Sequence, residues 1–277
     1  MNPRRNFENL SGGPALTYVL YSNPTGLAGT LLRLPLRLVP TDAVIPVLSG
    51  PLRGRKWIAG SSVASCWLGI YERDKLEEMR SSIPQGGVVY DIGAQAGYHA
   101  LLASRLVGRS GIVYAFEPLP RNHQMLIKHL SLNEVFNVQP VQAAVSDTDG
   151  ELRFDPGPGF MAGHLSGQGA LRVKCFSVDH FLTSEDRVRP PDVMKIDVEG
   201  AELKVLQGAR ETLSRYRPTL MIDTHDFLGG EHAGIHEACT TFLKALGYEL
   251  HCEISKASNK ASSIFAKPLA GRQTRSA

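Results

Sequence analysis

The stretch Val88-Val-Tyr-Asp-Ile-Gly-Ala-Gln-Ala-Gly97 decides the fold of this chain. It opens with a short run of β-branched and aromatic residues, which predicts a buried strand, and it closes in a turn marked by two glycines. Residues 98–107 then carry apolar side chains at helical spacing and are followed by Gly108, a residue typical of the position after a helix. The stretch therefore predicts a strand, a glycine turn and a helix in succession.

The same alternation continues along the chain. Further strands are predicted at residues 112–116, 138–145, 193–196 and 219–222, and helices at 121–132, 178–182, 201–214 and 236–246. Such alternation is typical of an α/β fold, a doubly wound parallel sheet with helices on both faces. Right-handed crossovers place the carboxyl ends of the strands along one edge, where ligands bind.

Two pairs of extended segments do not follow this alternation. Residues 153–154 and 171–176 flank a glycine-rich stretch and predict an additional strand pair. Residues 248–254 and 263–266 predict an antiparallel hairpin at the end of the sheet.

Composition and texture divide the chain into an N-terminal lobe (1–80), a sheet domain (81–270) and a short basic tail (271–277) that we expect to be disordered. The composition disfavours several classes of protein. The net charge of +3 is small and does not indicate nucleic-acid binding. Residues 27–48 are too interrupted to span a bilayer; they could contact a membrane surface, but a packed helical lobe is favoured. The four cysteines show no C-x-x-C spacing, which favours a reduced, cytoplasmic protein.

The turn after the first strand reads D-x-G-x-x-x-G, from Asp91 through Gly93 to Gly97, and not G-x-G-x-x-G. The latter brings a helix N-terminus to a pyrophosphate, whereas an acid at the strand end suits the ammonium group of S-adenosylmethionine. A second acid, Glu117, ends the second strand, where a carboxylate can accept hydrogen bonds from ribose hydroxyls. Residues 88–117 therefore predict a nucleoside site for S-adenosylmethionine.

A third contact with the nucleoside is predicted after the third strand. Ala144-Val145-Ser146-Asp147 is placed to meet the adenine, because a small residue there would leave room for the ring. An ordinary strand-end turn is the alternative.

Several strings resemble the FkbM family of methyltransferases over roughly residues 50–225. They are Gly69-Ile-Tyr71-Glu72, Val89-Tyr-Asp91-Ile-Gly93-Ala94, Ala115-Phe-Glu117-Pro118, Ala144-Val-Ser-Asp147 and Met194-Lys-Ile-Asp197-Val-Glu199-Gly-Ala-Glu202. The resemblance implies a class I, Rossmann-like fold with the C-terminal hairpin, S-adenosylmethionine as donor, and usually O-methylation of a saccharide or another bacterial metabolite. Gln95 departs from the family's asparagine at that position.

The resemblance and the strand-end pattern together give a set of cofactor-binding residues. It comprises Asp91, Gly93, Ala94, Gly97, Tyr98, Glu117, Pro118, Ala144, Val145 and Asp197. The family match further implies that Tyr71 and Glu72 close over the cofactor or substrate; the alternative for them is a helix N-terminus.

The reacting end is predicted at the carboxyl ends of the fourth and fifth strands. In one interpretation Asp197 or His225 takes the proton of an acceptor hydroxyl; in the other, Asp197 and Asp223 bind Mg²⁺, which activates the hydroxyl. Glu199 is a further catalytic candidate, and His225 also faces the substrate. Glu199 and Glu202 have a structural alternative as acids at a helix N-terminus, and Lys195 is expected to pair with an acid.

The stretch between His225 and His236 is rich in possible metal ligands but lacks the H-E-x-x-H arrangement. Its glycines favour a substrate-facing lid, with a solvated loop as the alternative. Two other functions compete with methyl transfer: a nucleotide-dependent oxidoreductase and a non-catalytic nucleoside-binding module. The missing G-x-G-x-x-G disfavours the first, and the intact acids and glycines disfavour the second.

Overall fold

The computed structural model describes residues 36, 38–157, 163–165, 168–184, 187–226, 233–253 and 262–269. The chain forms two compact units, Met1–Arg73 and Asp74–Ala277. The predicted tail (271–277) and residues 27–35 of the apolar N-terminal segment lie outside the described residues. Within the described ranges, no helix combines the length and the apolar character needed to cross a membrane.

The described part of the first unit is built on a short antiparallel ladder. Strand β1 (Val44–Pro46) pairs with β2 (Lys56–Ile58), and a single 3₁₀ turn (Ala59–Ser61) leads to helix α1 (Ala64–Leu68). Trp57 of β2 is fully buried.

The second unit contains the remaining elements. Its strands are β3 (Val88–Ile92), β4 (Ile112–Phe116), β5 (Val138–Val141), β6 (Ala144–Val145), β7 (Gly150–Asp155), β8 (His164–Leu165), β9 (Leu171–Phe176), β10 (Val193–Ile196), β11 (Thr219–Thr224), β12 (Tyr248–Glu253) and β13 (Ser262–Pro268). Its helices are α2 (Arg73–Ser82), which starts at the unit boundary, α3 (Tyr98–Val107), α4 (Pro120–Leu132), α5 (Val178–Ser184), α6 (Glu202–Gln207), α7 (Arg210–Tyr216) and α8 (Ile235–Ala245).

Seven of these strands form one sheet in the order β12-β13-β11-β10-β3-β4-β5. The central strands run parallel, and β13 is inserted between β11 and β12, antiparallel to both. The predicted parallel sheet and terminal hairpin are confirmed. Because β3 lies at the centre next to β10, the loops that follow these two strands meet at one edge of the sheet.

The side chains of β3 and its neighbour β4 pack in the core of the second unit. All five of its residues are buried, as expected for a strand covered on both faces. Tyr90 packs edge-to-face on Tyr114 with ring centroids 5.3 Å apart, and Phe116 packs in the same way on Phe181 at 4.8 Å. Aromatic pairs of this geometry contribute beyond the area they bury.

The predicted third strand, 138–145, is in fact two strands in different sheets. β5 ends at Val141, and β6 pairs instead with β9 in a second sheet of order β6-β9-β7-β8. β5 is the edge strand of the main sheet and contains Pro140, which lacks an N–H for a further ladder. The predicted strand pair around 153–154 and 171–176 is confirmed as β7 and β9.

The predicted helix 201–214 is also divided, into α6 and α7. The break falls at Gly208, where a Cβ would lie 2.1 Å from the carbonyl oxygen of Ser146. Only glycine allows the strand end of the second sheet to approach the helix so closely. The periodicity of the sequence is helical on both sides of this glycine, so the break is a tertiary effect.

Candidate active site

Asp91 and Lys195 form the centre of the site. They are opposite one another in the register of β3 and β10, and both side chains are almost completely buried. The Nζ of Lys195 lies 3.3 Å from Oδ1 of Asp91 and 3.6 Å from Oδ2 of Asp197, and it donates to the carbonyl of Gly93 at 2.7 Å. The prediction that Lys195 pairs with an acid is confirmed.

The carboxylate of Asp91 is not satisfied by the protein. Apart from the ion pair with Lys195, neither of its oxygens has a hydrogen-bond partner among the described residues. Buried polar atoms are rarely left in this state, and an unmet acceptor at a strand end suits a cationic ligand group. The site therefore fits the ammonium end of S-adenosylmethionine, as the sequence predicts for Asp91.

The glycine turn packs the loop after β3 directly against the loop after β10. Gly93 has φ 80° and Gly97 has φ 92°, a region that glycine adopts without steric cost. A Cβ on Gly93 would lie 1.8 Å from the carbonyl oxygen of Asp197. The sequence suggested that the glycines admit the ligand; in the structure, the missing Cβ of Gly93 makes room for Asp197.

Glu117 is buried at the end of β4, as predicted. Its Oε2 accepts the N–H of Gln95 at 2.8 Å and its Oε1 accepts the N–H of Leu119 at 2.9 Å. Burial raises the pKa of Glu117 to about 7, although these backbone hydrogen bonds oppose the rise. Each carboxylate oxygen retains a second lone pair, so the predicted ribose contact stays compatible with the geometry.

The other predicted cofactor residues fall into two groups, one near the loops after β3 and β4 and one in β6 of the second sheet. Ala94 is buried in the turn after β3, Tyr98 is buried at the start of α3, and Pro118 is half-buried after Glu117. Ala144 packs with Leu119 in the apolar cluster of the second sheet, and Val145 belongs to the main core. Adenine contact by Ala144 and Val145 stays a prediction.

His225 joins the acids at the reacting end. Its Nε2 lies 3.6 Å from both Oδ1 of Asp197 and Oε2 of Glu199, and its Nδ1 lies 2.7 Å from Oε1 of Glu202. The structure thus brings together the three predicted catalytic residues and adds Glu202. Burial alone would lower the pKa of His225, but the hydrogen bond to Glu202 and the nearby negative charges outweigh it and raise the pKa to about 9.

Glu199 differs from the acids around it. Its side chain is 26% exposed, and its backbone is left-handed with φ 52°, a conformation that costs energy for a non-glycine residue and tends to occur at functional sites. Burial raises its pKa to about 7, with Asp197 adding to the rise and His225 opposing it. Glu199 is therefore a partly accessible carboxyl group that titrates near neutral pH.

The predicted Mg²⁺ pair receives no support from the contacts of Asp223. Its Oδ1 accepts the hydroxyl of Ser263 at 2.8 Å, and its Oδ2 is hydrogen-bonded to Lys75. The ligand atoms that do lie within 4.8 Å of one another belong to Asp197, Glu199 and His225. A histidine must be neutral to bind a metal, whereas the raised pKa of His225 favours its protonated form and ion pairing with the two acids.

Two further parts of the predicted site stay predictions. Tyr71 and Glu72 belong to the first unit, so their role over the cofactor or substrate stays a prediction. The centre of the proposed lid, including Glu231 and His232, lies outside the described residues. At its end, His236 makes a contact of 2.9 Å with the hydroxyl of Thr224.

The sheet order, the inserted antiparallel last strand and the acids at the ends of β3 and β4 define a class I methyltransferase fold. The family model of the methyltransferase FkbM domain matches residues 91–250, which is more than half of the chain. The chain belongs to the FkbM methyltransferase family, and the resemblance seen in the sequence is confirmed.

Three similar proteins illustrate the range of this similarity. The chain is 31% identical over 144 residues to the hexuronic acid methyltransferase AglP of Haloferax volcanii, covering 51% of this chain and 58% of AglP. It is 25% identical over 227 residues to the AMB antimetabolite synthetase AmbE of Pseudomonas aeruginosa, covering 65% of this chain and 10% of AmbE. A crystal structure of methyltransferase FkbM from Methylobacillus flagellatus KT has 18% identity and a TM-score of 0.46, covering 65% of this chain and 43% of that one.

Proposed function

We propose that this protein is an S-adenosylmethionine-dependent O-methyltransferase that acts on a hydroxyl group of a saccharide or another small metabolite. One observation carries the proposal. The pair Glu199 and His225 lies at the ends of β10 and β11, next to the unsatisfied carboxylate of Asp91 on the neighbouring β3. A proton acceptor and a place for a cationic donor thus share one sheet edge.

The donor side is held by the loops after β3 and β4. Asp91 would receive the ammonium group and Glu117 the ribose hydroxyls, while Lys195 keeps the charge of Asp91 fixed in place. When bound, S-adenosylmethionine supplies an electrophilic methyl group on a sulfonium centre. The protein aligns this group with the acceptor, and such alignment can provide a large part of the rate enhancement.

On the acceptor side, we assign the general base to Glu199. A base works best when its pKa lies near the operating pH, and that of Glu199 is about 7. His225 was a candidate base from the sequence, but with a pKa of about 9 it is already protonated at neutral pH. In this proposal Glu199 takes the proton of the acceptor hydroxyl, and the imidazolium of His225 stabilises the ionised form of Glu199 beforehand.

The chemistry of the cluster favours a hydroxyl over a carboxylate acceptor. AglP is named a hexuronic acid methyltransferase, and a hexuronic acid offers both kinds of oxygen. Asp197, Glu199 and Glu202 surround His225, and a further carboxylate beside them would be repelled. The similarity to AglP therefore supports a saccharide acceptor, while the charges support methylation of its hydroxyl.

Transfer of labelled methyl groups tests both the saccharide acceptor and the methylation of its hydroxyl. The purified chain is incubated with methyl-labelled S-adenosylmethionine and paired oligosaccharides, one with a uronic acid and one with that acid reduced to the alcohol. We expect label in an ether that resists mild base, in both members of the pair. Label confined to a base-labile ester would contradict the hydroxyl assignment, and binding of NAD in place of S-adenosylmethionine in calorimetry would contradict the class of reaction.

A further inference from the structure

Glu202 is completely buried although it carries a carboxylate. Burial of an ionised group costs several kcal/mol unless it is paired and hydrogen-bonded. Its Oε1 alone provides this compensation, because it accepts the N–H of Gly200 at 3.0 Å and also contacts Nδ1 of His225 at 2.7 Å. Its Oε2 is buried without a hydrogen-bond partner among the described residues, so fold stability alone is a poor explanation for this acid.

Helix capping does not account for Glu202 either. An acid in a first turn normally acts on the free N–H groups of its own helix. Helix α6 has Ala201 as its N-cap residue and no side-chain cap hydrogen bond, and Gly200 precedes the helix. The carboxylate of Glu202 is directed away from the helix, toward the preceding turn and His225.

The turn that Glu202 holds is the one that carries Glu199. Glu199 has φ 52°, which costs energy for a non-glycine residue and persists only when its surroundings fix it, whereas the following Gly200 adopts φ 100° without steric cost. The hydrogen bond from the Gly200 N–H to Glu202 provides such a fixation. It keeps Oε2 of Glu199 at 3.6 Å from Nε2 of His225.

The ring of His225 is fixed by the same oxygen. A carboxylate at Nδ1 selects the orientation in which Nε2 points to the opposite side, here toward Asp197 and Glu199. Among the described residues, Lys195 also acts on Glu199, and Cys239 is close enough to Glu202 and Asp226 for both charges to raise the pKa of its thiol. Glu202 is therefore the buried acid that holds the ring, and Asp197 and Glu199 are the two partly exposed acids of the cluster.

We propose that Glu202 is a positioning residue, which fixes the ring of His225 and the turn carrying Glu199 relative to each other through a single carboxylate oxygen. The catalytic consequence rests on the proposed function. The positioning of His225 and the Glu199 turn by Glu202 does not, because the pKa of His225 can be measured without turnover.

The first test follows the imidazole resonances of His225 by NMR as pH is varied, with assignment from His225→Gln. We compare the intact chain with Glu202→Gln, which keeps the shape and removes the charge. The matched control is Glu237→Gln, at an exposed first-turn acid of α8. We expect Glu202→Gln to lower the pKa of His225 by at least about one unit and the control to leave it unchanged. An unchanged titration in Glu202→Gln would overturn the proposal, as would an ordinary His225 pKa in the unaltered chain, which decides the matter even if the variant does not fold.

The second test separates positioning from binding. We expect Glu202→Gln and Glu202→Asp to lower kcat by about 10²-fold while the Kd for S-adenosylmethionine stays within about twofold. A loss confined to Kd or KM would overturn the positioning role. If the unaltered chain methylates no acceptor, the proposed function fails, but the NMR result on Glu202 stands by itself.

Discussion

Lys195 lies 3.3 Å from Asp91 across the register of β10 and β3, and 3.6 Å from Asp197 at the end of its own strand. One buried cation thus holds an acid of the donor side and an acid of the reacting side. This relationship makes the two halves of the site depend on each other.

Removal of the charge of Asp91 is expected to weaken donor binding. Asp91→Asn keeps the volume but loses the carboxylate that would receive the ammonium group, and loss of one partner of a buried charge pair costs at least about 2 kcal/mol. Calorimetry should therefore show binding of S-adenosylmethionine at least about 30-fold weaker. Asp74→Asn, on the exposed face of α2, serves as the control and should bind normally. Normal affinity in Asp91→Asn would refute the donor site.

Lys195→Met is expected to destabilise the fold. It leaves Asp91 buried without its cation, and such a change typically costs about 3 kcal/mol. Urea unfolding should show this loss, whereas Lys204→Met at an exposed position should stay within about 0.5 kcal/mol of the unaltered chain. The double variant Asp91→Asn/Lys195→Met should recover part of the loss, because the two residues are coupled. Strict additivity would contradict the pairing.

The pH dependence of kcat/KM should be bell-shaped. Activity should rise through about pH 7 as Glu199 loses its proton and fall through about pH 9 as His225 loses its own. Glu199→Gln should lower kcat by about 10²- to 10⁴-fold and abolish the acid limb in any residual activity. Persistence of that limb in Glu199→Gln would assign the base to another residue.

His225 should make the fold less stable as pH rises. Its pKa is raised from 6.5 to about 9, so the folded state binds the proton more tightly than the unfolded chain does. The resulting stabilisation is complete below about pH 6.5 and is lost on going to pH 9. Denaturant unfolding across this window should show the decline in the unaltered chain and in His180→Gln, an exposed control. The decline should be smaller in His225→Gln; an equal slope in that variant would contradict the raised pKa.

Methyl transfer should not depend on a divalent cation. The raised pKa of His225 favours its protonated form, which does not bind a metal, so we expect equal rates in excess EDTA and in millimolar Mg²⁺. A loss of activity in EDTA that Mg²⁺ or Mn²⁺ restores would show that a metal replaces this proton.

The positions of the strand-end acids could be predicted because their signals are local. The apolar residues before Asp91 and the glycines after it specify a strand and a turn through short-range sterics. The apolar residues around Lys195 likewise specify strand β10. The ends of parallel strands must then meet at one sheet edge, so Asp91, Glu117 and Asp197 could be placed near one another without coordinates.

The remaining errors arose from contacts between distant segments. Residues 138–145 were predicted as one strand, but residues 144–145 pair with β9 in the second sheet and not with β4. The sequence around Gly208 is helical on both sides, yet the helix divides there, where the N–H of Asp179 donates to the carbonyl of Gly208 and the carboxylate of Asp179 accepts the N–H groups of Glu211 and Thr212. Neither partner is visible in a local window of sequence.

The sequence by itself therefore determined the family, the sheet and the place of the strand-end acids, because these follow from strand and turn patterns of a few residues. Only the tertiary structure decided which contacts each acid makes. Glu202 and His225 are 23 residues apart in the chain, and the contact between them contributes to the raised pKa of His225. Burial and the neighbouring charges set that pKa, and both exist only in the folded chain.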